Sequence, residues 1–80
     1  MSKYYQSVVE TTKDYLGPAA ERFVRRQVEF HLNKPAEAIN KQDVLQLRDS
    51  LCVALSLLIN DKQVVDQARR AFNLIAEGSN

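Results

Sequence analysis

This sequence has little of what site chemistry needs. Its 80 residues include one cysteine, one histidine, two glycines, two prolines and no tryptophan. A single cysteine excludes a disulfide within the chain. His31 and Cys52 are the only soft or borderline metal ligands, so no metal site is expected. The glycines, Gly17 and Gly78, leave no glycine-rich phosphate loop, and no HExxH, Ser/His/Asp set or paired cysteines occur. The carboxylates are spread over helix faces and caps. A chain this short also has little room for a cleft. We therefore expect no enzyme: no catalytic residue and no cofactor.

Charge of one sign is missing too. The net charge is +1, from 11 basic and 10 acidic residues. No bulk pull toward nucleic acid or an anionic membrane follows. No apolar run reaches transmembrane length. The opening Met1-Ser2-Lys3-Tyr4-Tyr5-Gln6 has no signal-peptide core. With a lone thiol, these features point to the cytoplasm. Cys52 itself reads as a small buried hydrophobe.

What the chain does have is helical periodicity. From Asp43 to Ile59, Val44, Leu47, Leu51, Leu55 and Leu58 repeat at three- and four-residue steps. Leu45, Cys52 and Ile59 run beside them, and Val53 and Leu57 add apolar surface on a further side. A helix apolar around so much of its circumference needs several neighbours, so it reads as the central helix of a bundle.

The breakers divide the rest. Ser2 is a cap for a first helix ending near Leu16, with Tyr5, Val8, Val9, Thr12 and Leu16 on one face and Tyr4 and Tyr15 flanking it. Gly17-Pro18 closes it and opens the next. The second helix carries Ala20, Phe23, Val24, Gln27, Val28 and His31 on one face, with Phe30 to the side. Pairs Glu21–Arg25 and Arg25–Glu29 are spaced to meet along the exposed side. Asn33-Lys34-Pro35 breaks the pattern, and Ala36 to Ile39 reads as a short turn with Ile39 inward. Asn40 caps the third helix with Asp43 as its reciprocal acid. Asp61 caps the fourth, whose face is Val64, Val65, Ala68, Phe72, Ile75 and Ala76, and Gly78 stops it. Ser79 and Asn80 are expected to be loose. The expectation is one all-α domain over 1–80: a four-helix, bundle-like fold with helices at about 3–16, 18–33, 41–59 and 62–77 and a short helical turn before the third.

Three sets of residues are functional candidates. Tyr4, Tyr5 and Tyr15, with Phe23 and Phe30 in the second helix, read either as core or as a surface for a protein partner or a homodimer, because tyrosine favours interfaces with a wet edge; Val53 and Leu57 join the second reading, because the central helix has more apolar surface than three short neighbours cover. Arg22, Arg25 and Arg26 on the second helix and Arg69 and Arg70 on the fourth form basic groups suited to phosphate, the nucleic-acid alternative; the competing reading is a solvated face neutralised by Glu21, Glu29 and Asp66. His31 reads as a core-edge imidazole, with pH sensing as its functional alternative.

The segment Tyr15-Leu16-Gly17-Pro18-Ala19-Ala20-Glu21-Arg22-Phe23-Val24-Arg25-Arg26 resembles the opening of a small helical domain found at the C-terminal end of bacterial signalling proteins. Leu58, Ile59, Asp61, Arg69 and Phe72 match its close loosely. In that group the domain follows serine/threonine kinase, cyclase or response-regulator modules, none of which accompanies it in these 80 residues. The resemblance implies an accessory interaction role in bacterial signalling, with no catalytic residues to carry over. The sequence thus predicts a non-catalytic protein-interaction or dimerisation module.

Overall fold

The computed structural model describes residues 3–78; the Ser2 cap and the Ser79-Asn80 end lie outside the described residues. The described residues form four α-helices, α1 (Lys3–Leu16), α2 (Ala20–Leu32), α3 (Lys41–Leu58) and α4 (Lys62–Glu77), with single 3-10 turns at Gly17–Ala19 and Ala36–Ala38. No strand occurs among the described residues. The fold is the expected all-α small bundle with a turn before the third helix.

Each boundary has a local cause. Gly17 takes a φ of 62°, a left-handed conformation that ends α1 at little steric cost. Pro18 then sits in the 3-10 turn rather than in the first turn of α2, and the Ala20 N–H donates to the Gly17 carbonyl. Asn33, also left-handed, closes α2. Asn40 and Asp43 form the full reciprocal box at the start of α3: the Asp43 N–H donates to Asn40 Oδ1 at 3.0 Å and the Asn40 N–H to Asp43 Oδ2 at 2.9 Å. Asp43 also accepts from Lys34 Nζ at 2.7 Å, which ties the preceding link to the helix end. Asp61 Oδ1 accepts from the N–H groups of Gln63 and Val64.

The helices form a ring. Consecutive helices pack on one another, α3 and α4 most extensively, and α1 closes the ring against α4. The backbones of α2 and α4 stand at opposite corners and do not approach each other. The core combines Tyr5, Val8 and Val9 with Val24 and Val28, then Val44, Leu47, Leu51, Cys52 and Leu55, and Ala68, Phe72 and Ala76; Ala36 and Ile39 plug it from the link. Thr12 is also buried, its hydroxyl donating to the Val8 carbonyl at 2.7 Å. Among the described residues no buried side-chain nitrogen or oxygen lacks a hydrogen-bond partner.

One expectation is corrected. α3 is a wall of the ring, not its centre. Its Leu58 lies on the same azimuth as Leu51 and Leu55 but is 63% exposed. Leu58 is the last residue of α3, where the helix ends and its cover with it. The chain leaves the helix there, and Ile59, with its N–H on the Leu55 carbonyl, turns back to pack half-buried against the core. Leu45 likewise sits at the exposed rim, not inside.

Candidate interaction surface

Two apolar residues of α3, Val53 and Leu57, stand one turn apart and are 61% and 82% exposed. Facing them from the last turns of α2 is Phe30, 83% exposed. Between the two helices runs an open groove of about 380 Å³, lined by Gln27, Phe30, His31, Asp49, Ser50, Val53, Ala54 and Leu57. The groove exists because the α3 positions turned toward α2 are small: Ser50 and Ala54, four apart, leave a trough where larger side chains would fill the gap. A second hollow of about 460 Å³ lies on the other flank of Phe30, between Arg26, Gln27 and Glu29. Phe30 is therefore a ridge between two hollows.

His31 corrects a further expectation. It shares the azimuth of Val24 and Val28 but sits in the final turn of α2, where the cover has ended, and is exposed. Its ring meets Phe30 edge-on, with centroids 5.0 Å apart and planes at 78°. Neither residue's place was readable from the face pattern, which reports azimuth and not where the cover of a helix stops.

The tyrosines do not join this surface. Tyr5 is 2% exposed and belongs to the core, which removes it from any partner-facing set. Its hydroxyl donates to Glu21 Oε2 at 3.1 Å and accepts from the Arg25 guanidinium at 3.2 Å. Burial, then the hydrogen bond to Glu21, push its phenol up. Tyr4 and Tyr15 are half-buried against the core.

The arginines divide likewise. Arg25 is held by Glu37 at 2.8 Å and by Glu21 at 3.7 Å, with its guanidinium 5.5 Å from the Tyr5 ring centroid. The bond to Arg25 holds the Glu37 carboxyl below the usual glutamate range, and the same bond raises Arg25. The expected Arg25–Glu29 pair does not form, because Arg25 turns toward the link. Arg69 donates to Asp49 at 2.6 Å. Arg48, which the sequence reading passed over, donates to Asp49 at 3.3 Å and to Asn73 Oδ1 at 2.8 Å, riveting α3 to α4. Bonds from Arg69 and then Arg48 hold Asp49 below the ordinary aspartate range. Arg22, Arg26 and Arg70 are exposed and make no ion pair among the described residues. Since α2 and α4 occupy opposite corners, the five arginines form no single basic face.

The remaining candidates are simpler. Cys52 is buried, and burial pushes its thiol up, away from the reactive thiolate. Among the described residues no three His, Cys, Asp or Glu side chains come together as a metal site. No helix among them is long and apolar enough to cross a membrane. Comparison with models of protein families, with curated proteins and with solved structures gives no match.

Proposed function

We propose that this chain is a non-catalytic helical interaction module, accessory to bacterial signalling, that binds protein through the α2–α3 face. The observation that carries this reading is the grouping of Phe30, Val53 and Leu57 around one groove. Scattered apolar side chains on a surface are ordinary. A contiguous set beside a groove is not, and marks contact surfaces. Each such side chain left in water forgoes about 1.5–3 kcal/mol of burial, a large sum for a domain whose total stability is on the order of 5–15 kcal/mol. Recognition would be by shape and apolar complementarity, with Phe30 as the aromatic anchor and polar residues on the rim. A thiol without a partner in the chain fits a reducing compartment, the cytoplasm.

Site-specific photo-crosslinking in the native cells tests this reading. A benzophenone amino acid at Leu57 should give discrete protein adducts, and the same group at exposed Gln63 on α4 should not. Absence of adducts at Leu57, or equal labelling at both positions, refutes it.

A further inference from the structure

We draw no further inference here: the strongest candidate, the apolar groove between α2 and α3 beside Phe30, Val53 and Leu57, belongs to the surface already described, and nothing in the structure shows what covers it.

Discussion

Leu51 and Leu58 occupy the same azimuth of α3, and sequence alone gives them equal weight. The structure separates them by burial: Leu51 is 0% exposed and Leu58 is 63% exposed. Leu51→Ala removes atoms surrounded on all sides and leaves a cavity, so it should cost about 2–5 kcal/mol. At Leu58 only about a third of the side chain leaves water on folding. Scaling the about 1.5–3 kcal/mol of full leucine burial by that fraction leaves roughly 0.5–1 kcal/mol, and no cavity forms. In a domain of this size about 1 kcal/mol moves Tm by roughly 4–8 °C. Leu58→Ala should therefore shift Tm by a few degrees, while Leu51→Ala should shift it by roughly 8–40 °C or unfold the chain. Urea denaturation followed by far-UV circular dichroism reads both, and dilute protein keeps association from contributing. If Leu51→Ala does not fold, Leu51→Val, which removes one methylene at about 0.8 kcal/mol plus a smaller cavity, serves in its place. Equal costs at the two positions would refute the claim that cover is lost in the last turn of α3, because equal costs require equal cover.

Two further outcomes follow from local geometry. Gly17→Ala should destabilise by about 1–2 kcal/mol in thermal unfolding although a Cβ there meets nothing within 4 Å; the cost is the left-handed φ alone, so Gly17→Asn, which tolerates that region better, should cost less. A neutral-to-small effect of Gly17→Ala would show that the α1–α2 joint relaxes to another conformation. The Arg25–Glu37 pair should show itself in acid. Because Glu37 is held below the usual glutamate range in the folded state, its contribution is complete above that range and fades as pH falls through the lowered value. The Tm gap between wild type and Glu37→Gln should hold steady from neutral pH down to the ordinary glutamate range and close below it. A gap that persists in strong acid would assign the effect of the substitution to packing rather than charge.

The helices and their ends were legible because their signals are local. Asn40 with Asp43, Asp61 and Gly78 act within a turn of the boundary they set, and a reader of the chain needs nothing else. The inward face of α1 was legible for the same reason, as was Ile39 in the link. What was not legible depended on where the cover of each helix stops and on which corners are neighbours. Leu58 and His31 keep the core phase yet lie beyond the cover. Tyr5 was assigned to a partner surface because an amphipathic side chain suits one, but Glu21 and Arg25 satisfy its hydroxyl inside the fold. Arg25 keeps the expected pair with Glu21 but not that with Glu29, because the link brings Glu37 closer. Val53 and Leu57 stood out in the sequence as surplus apolar surface. Phe30 was grouped with the first-helix tyrosines as a contact aromatic, but its alignment with Val53 and Leu57 across Ser50 and Ala54 was not legible, because that is a property of how α2 crosses α3.

The ring of helices bears on how the chain finds its fold. Three of its four seams join segments adjacent in sequence, so each closes a short loop at small entropic cost and can form early. The α1–α4 seam alone joins the two ends of the described chain. It carries the largest closure entropy of the four and gains nothing until both helical hairpins exist to present their faces. The last seam to be favoured by loop closure is thus the one between the two ends, and not one made by α3, the most conspicuous stretch of the chain.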